Sequence, residues 1–156
     1  MKFNGKVALV TGGGRGIGAE IARNLALDGA TVGVSARTES EVRQVVDEIR
    51  AAGGRAQHFI ADLSKADEAK ALVSKVQEAL GPIDFLINNA GIASSAPIVK
   101  QSLDEWNRIF AVNVTATFLC TQAALPGMIE RGSGRIVNIA SVAARFGARY
   151  IGAYAA

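Results

Sequence analysis

Val7-Ala-Leu-Val-Thr-Gly-Gly-Gly-Arg-Gly-Ile-Gly-Ala-Glu-Ile-Ala-Arg-Asn24 is the stretch whose reading decides the fold. Val7–Val10 is a short apolar run, the pattern of a strand buried on both faces. Five glycines follow between Gly12 and Gly18. Ile17, Ile21, Ala22 and Leu25 then recur at helical spacing. Strand, glycine turn and helix, in that order, are the context in which a glycine fingerprint carries meaning.

The chemistry of such a junction is specific. A helix N-terminus presents unpaired N–H groups and the positive end of its dipole, and so attracts phosphate. Gly12 allows a tight turn out of the strand, Gly16 lets backbone approach a pyrophosphate, and Gly18 lets the helix lie close on the sheet. The spacing Gly12-x3-Gly16-x-Gly18 differs from G-x-G-x-x-G. No Gly-Lys-Ser/Thr follows, which argues against a P-loop and nucleoside triphosphate hydrolysis. A glycine loop without a ligand is the alternative, and the flanking strand and helix weigh against it.

The chain has 156 residues, 49% of them hydrophobic, enough for one α/β domain, residues 1–156, with a real core. A net charge of +3 without a basic run does not point to nucleic acid. The single cysteine, Cys120, reads as a small core residue and excludes an internal disulfide. The single histidine, His58, excludes a His-rich metal site and argues against a Ser-His-Asp triad. No metal is expected. The N-terminus lacks the apolar core of a signal peptide, and no apolar run approaches membrane-spanning length. The expectation is a soluble cytoplasmic protein.

Further along, strands are predicted at Thr31–Ser35, Ala56–Ile60, Phe85–Ile87 and Arg135–Ala140. Helices are predicted at Ile17–Leu27, Glu39–Ala52, after an N-cap at Ser64, and from Leu103 to Arg131. Ser102 and Glu105 read as a capping box, and Pro126 should kink the last helix or end its regular part. Short connections between alternating strands and helices predict a Rossmann-type, doubly wound parallel sheet of order 3-2-1-4-5.

Several polar residues stand at the predicted carboxyl ends of strands, where open α/β sheets bind ligands. After strand two, an NAD-preferring dinucleotide fold places an acid for the ribose 2′-OH; here Ala36 holds that position. Arg37 follows and suits a 2′-phosphate, with Ser35 as a hydrogen-bond donor; a solvated surface arginine is the alternative. Asp62 follows strand three and equally suits a turn. Asn88-Asn89-Ala90-Gly91 follows strand four, and Ser141 follows strand five. Asn113 interrupts an apolar helical stripe and needs hydrogen-bond partners there.

Thr11-Gly-Gly-Gly-Arg-Gly-Ile-Gly18 resembles the T-G-x-x-x-G-I-G motif of the short-chain dehydrogenase/reductase family, and Asn88–Gly91 matches its N-N-A-G motif. The resemblance implies cofactor contacts at Gly12, Gly14, Arg15, Gly16, Ile17, Gly18, Ser35, Arg37, Asp62, Leu63, Asn89, Ala90 and Gly91, with NADP(H) as the cofactor. It implies catalytic roles for Asn113, Ser141 and Tyr154. Tyr154 would protonate a carbonyl oxygen as hydride arrives from the nicotinamide, Ser141 would hydrogen-bond the same oxygen, and Asn113 would hold a water in a proton relay. The pattern is most similar to the 3-oxoacyl thioester reductases. Alternatives are a polyol- or steroid-type dehydrogenase of the family and a non-catalytic dinucleotide-binding fragment. The implied partners are a small carbonyl or alcohol substrate and further copies of the chain, as a dimer or tetramer, without nucleic acid or membrane.

The family's Y-x-x-x-K motif opens at Tyr154-Ala155-Ala156, and its lysine would fall two residues further on. That ammonium matters because a phenol ionises near about pH 10 and a neighbouring cation lowers the value. The sequence therefore reads as the amino-terminal part of a truncated or fragmentary family member. A natural short nucleotide-binding protein is the other reading.

Overall fold

The run after Lys6 forms strand β1, Val7–Thr11, buried at all five positions. In the computed structural model, which describes all 156 residues, it is the middle of a five-stranded sheet. The other strands are β2 (Thr31–Ala36), β3 (Arg55–Ile60), β4 (Phe85–Asn88) and β5 (Arg135–Asn138). The order is β3-β2-β1-β4-β5, every pair is parallel, and β1 lies in register with β2 from Val7 opposite Thr31 to Thr11 opposite Ser35. This is the doubly wound sheet that the alternation of elements predicts.

Strand residues alternate between two cores because successive side chains point to opposite faces. Ala8, Val10, Val32 and Val34 face helices α1 (Gly16–Leu27) and α2 (Glu39–Ala51). Val7, Leu9 and Leu86 face α3 (Ala66–Leu80) and the long helical segment Leu103–Glu130. Cys120 belongs to the second core; its thiol lies 3.6 Å from the Ala69 carbonyl, and burial pushes its pKa up to about 11. It is a packing residue, as its sequence surroundings indicate.

The structure revises several boundaries. β1, β2 and β4 each run one residue further than predicted, to Thr11, Ala36 and Asn88, while β5 stops at Asn138. Ile17 is 65% exposed; α1 lies on the sheet through Gly18, Ala19, Ala22 and Ala26, a face too small-sided for a search for bulky apolar residues to find. Lys65, not Ser64, precedes α3, and the Ser64 hydroxyl donates instead to Asp62 Oδ1 at 2.7 Å. Ser102 does cap α4 (Leu103–Phe110), accepting from the Glu105 N–H at 3.2 Å, but the Glu105 carboxylate turns to Arg108, so only half of the capping box forms.

Pro126 lies inside α5 (Ala116–Glu130) without ending it. Gln122, four residues earlier, is exposed, so the carbonyl that proline leaves unpaired can meet water. The irregularity falls instead at Ala111–Thr115, a π-helical turn around Asn113 that separates α4 from α5. The whole helical stretch Leu103–Glu130 contains an 18-residue window of mean hydropathy 1.4, long and apolar enough to cross a membrane by length and composition alone. Asp104, Glu105, Arg108, Asn113 and Gln122 interrupt the stretch, so no unbroken apolar run of that length occurs. In the fold, α5 packs on α3 and β4 through Ala116, Leu119, Cys120, Ala124 and Met128.

Leu86, fully buried in β4, sits where the second core meets the sheet. Leu86→Ala should cost about 2–5 kcal/mol, read as a lower urea midpoint at unchanged slope. A loss within about 0.5 kcal/mol would mean that the site collapses freely around the missing atoms.

Candidate functional site

A parallel strand directs its carboxyl end into the loop that leads to the next helix. β1 is followed by a helix on one face of the sheet, while its neighbour β4 is followed by helices on the other, so the two loops part and leave a crevice. The cleft there encloses about 540 Å³ and is walled by the loops after β1, β2, β3 and β4. A larger hollow of about 680 Å³ lies outside α1 against Phe3, but its charged groups are Glu20 and Asp28 alone. Cations and free helix N–H groups converge on the first.

Glycine sets the shape of that cleft. A Cβ on Gly12, at φ +62°, would stand 2.8 Å from the Ala90 Cα, and one on Gly18 would run into the Gly12 carbonyl oxygen and Asn89 Nδ2. Gly16, at φ +55°, faces open space. α1 begins there with no side chain capping it and no acid in its first turn. Its leading N–H groups are therefore available to an anion, and the cradle fits a pyrophosphate.

Thr11 locks the loops on either side of the cleft. Its Oγ1 accepts from the N–H groups of Asn89 and Ala90, both at 3.1 Å, and donates to the Ile87 carbonyl at 3.3 Å. Asn89 Nδ2 returns two bonds, to the carbonyls of Thr11 and Gly12 at 3.0 and 3.1 Å. Asn88 is buried and ties β4 to β5 and α5 through Asn138 Oδ1 and Thr121 Oγ1.

Gly12, Gly14, Arg15, Gly16, Ile17, Gly18, Arg37, Asp62, Leu63, Asn89, Ala90 and Gly91 all line the cleft. Ser35 does not. It shares the sheet face of Thr11 and Phe59, is 1% exposed, and its hydroxyl has no partner. The wall at the end of β2 begins with Ala36, followed by the exposed Arg37. Asp62 takes up the turn geometry that its neighbours allow: Oδ1 accepts from the Ser64 N–H and hydroxyl at 3.1 and 2.7 Å. Those bonds hold its carboxyl below the usual range, helped by Lys65 and Arg37.

Asn113 lies outside the cleft wall, next to Val112, which is part of it, and holds Ile92 from behind. Its Oδ1 accepts from the Ile92 N–H and its Nδ2 donates to the Ile92 carbonyl, both at 2.9 Å. The same oxygen lies 3.7 Å from where a Cβ on Gly91 would stand. Ser141 and Tyr154 lie beyond β5, outside the 540 Å³ wall. Ser141 Oγ accepts from the Ala143 N–H at 3.2 Å, leaving its proton free to donate. The short 3-10 turn Val142–Ala144 packs against α6 (Gly152–Ala155), which carries Tyr154 half-buried.

Residues 6–156 match the family model described as short chain dehydrogenase. The chain belongs to this family. Among its relatives, a short chain dehydrogenase of Pseudocercospora fijiensis is 44% identical over 99% of this chain and 50% of its own length. The ketoacyl reductase HetN of Nostoc sp. is 44% identical over 99% of this chain and 54% of its own. The chain thus spans about half the length of these curated relatives. The crystal structure of a metagenomic short-chain oxidoreductase in complex with NADP superimposes with a TM-score of 0.96 at 40% identity, covering 99% of this chain and 71% of that one.

Within this short-chain dehydrogenase fold, the sequence motifs mark the cleft and, in the paired asparagines whose amides can tie loops together, part of its fastening; Asn89 does tie the loop after β4 to the loop after β1. Thr11 opens the T-G-x-x-x-G-I-G motif, yet its three hydrogen bonds need the β4 loop in place before they can be seen. Glu41 also lines the cleft and lies in no motif; its place in the first turn after β2 was the available signal.

Asp62 ties the stability of its turn with Ser64 to pH. Its folded-state value is lowered, so its contribution is complete above the unfolded value of about 3.9 and is lost as pH falls through the folded one. Asp62→Asn should therefore flatten the acid limb of stability below about pH 4, followed by urea unfolding at stepped pH. An acid limb identical to wild type would show that the turn does not hold a charge.

Proposed function

We propose that this chain carries the cofactor-binding half of an NADP(H)-dependent oxidoreductase that reduces a ketone to a secondary alcohol. One observation carries the cofactor reading: Ala36 and Arg37 stand at the end of β2 on the wall of a cleft that also holds the uncapped start of α1. A pyrophosphate suits the N–H groups of Gly16–Gly18, and a 2′-phosphate suits the Arg37 guanidinium. Ala36 offers no carboxylate to a free 2′-OH. Asp62 keeps one carboxylate oxygen outside its turn, available to an adenine amino group.

The nicotinamide supplies hydride when bound. Tyr154 would give its hydroxyl proton to the substrate oxygen, and the Ser141 hydroxyl would donate a hydrogen bond to the same oxygen. Asn113 positions the loop at Gly91–Ile92 and, through its helix turn, the groups around it. A 3-oxoacyl thioester is the proposed substrate class, supported by the ketoacyl reductase among the relatives. A cytoplasmic homo-oligomer is the proposed setting.

The test is titration of NADPH against NADH by cofactor fluorescence in wild type and Arg37→Asp. Wild type should favour NADPH, and the variant should weaken NADPH by about tenfold or more, the effect of one phosphate–guanidinium pair. NADPH affinity that survives Arg37→Asp would remove Arg37 from the site. Absence of binding by either dinucleotide in the wild-type protein would sink the oxidoreductase reading itself.

A further inference from the structure

Four charged side chains line the cleft: Arg15, Arg37, Glu41 and Asp62. The sequence reading accounts for three of them, Arg15 within the glycine motif and Arg37 and Asp62 by their places after β2 and β3. Glu41 lies in the first turn of α2, directly after the β2 loop that carries Arg37 and Thr38. Its carboxylate reaches across the glycine loop because Gly14 has no side chain. Glu41 Oε2 lies 3.3 Å, and its Cβ 3.0 Å, from where a Cβ on Gly14 would stand.

The acids of this region differ in what they already hold. Glu39, two residues earlier, is paired with Arg43 at 2.6 Å. Asp62 has one oxygen committed to Ser64. Glu41 makes no side-chain hydrogen bond and no ion pair, and Arg37 makes none either, although both border the same cleft. A free carboxylate and a free guanidinium thus flank the end of β2, where the adenosine ribose of a dinucleotide is read. Their effects on a 2′ substituent are opposite. A carboxylate accepts hydrogen bonds from a diol and repels a phosphate; a guanidinium does the reverse.

We propose that Glu41 is a specificity-determining residue for the cofactor, accepting a hydrogen bond from the adenosine ribose and opposing a 2′-phosphate. The balance of Glu41 against Arg37 retains NAD(H) as a second cofactor beside NADP(H). This rests on the dinucleotide reading above and adds a residue that the reading does not require.

Glu41→Gln keeps the length and shape of the side chain and removes its charge. In the whole protein, NADPH and NADH dissociation constants are measured for wild type and variant by cofactor fluorescence, at low and at high salt. The expected result is an NADPH-over-NADH preference raised roughly three- to tenfold at low salt, by tighter NADPH, weaker NADH or both. The gain should shrink at high salt, because the interaction removed is a screened charge. Binding of both cofactors with an unchanged ratio would overturn the Glu41 assignment and leave the dinucleotide reading standing. A ratio that moves equally at both salts would leave only the hydrogen bond from the ribose and overturn the opposition to a 2′-phosphate. Failure of wild type to bind either cofactor would overturn both readings.

Discussion

The Thr11 hydroxyl accepts two backbone N–H groups from the loop after β4, and the Asn89 amide answers with two bonds to the loop after β1. These contacts are closed in the middle of the sheet, where Gly12 must approach Ala90 so nearly that no Cβ fits. The rest of the site depends on them. A crevice between diverging loops is useful only if its lips are fixed, and loop backbone buried away from water needs partners for its N–H and C=O groups. Here one threonine and one asparagine supply those partners, and glycine supplies the room.

The architecture was legible because it is written in period and punctuation. Apolar runs such as Val7–Val10 and stops such as Gly29 and Gly81 give the elements, and alternation gives the parallel sheet in its observed order. Legibility failed where tertiary contact overrides local pattern. α1 packs through glycine and alanine because it lies close to the sheet, so Ile17, apolar and at helical spacing, faces solvent. Ser64 looked like a cap but serves the Asp62 turn. Ser35 stands one position from Ala36 in sequence, but the two-residue period of a strand puts it on the opposite face, buried beside Thr11 and Phe59. Glu41 escaped notice because a charge in the first turn of a helix reads as an ordinary dipole contact.

Charge in the cleft is mixed rather than uniformly positive, which bears on how an anion would be selected. Two arginines and two acids border it. The Arg37 field also helps to keep Asp62 ionised. A site of this kind discriminates by where each charge stands along the ligand, since the sum of its fixed side-chain charges is close to neutral. The general attraction for phosphate then falls to the α1 N-terminus, whose N–H groups carry direction as well as charge.

The π-helical turn at Ala111–Thr115 has a cause in Asn113. Both polar atoms of this side chain are spent on the backbone of one residue, Ile92, in a reciprocal pair at 2.9 Å. An amide held that way imitates a strand partner: it satisfies an N–H and a C=O of the β4 loop where no strand lies alongside. To present it, the helix widens by one residue, which gives up regular hydrogen bonding over a short stretch. The widening is tolerated because α5 is anchored beyond it by Leu119 and Cys120 in the second core, and α4 before it by Ile109. Helix and loop thus fix each other. The irregular turn places Asn113 beside Gly91 and Ile92, which line the cleft, so this part of the wall and the β2 loop that carries Arg37 are set by independent contacts.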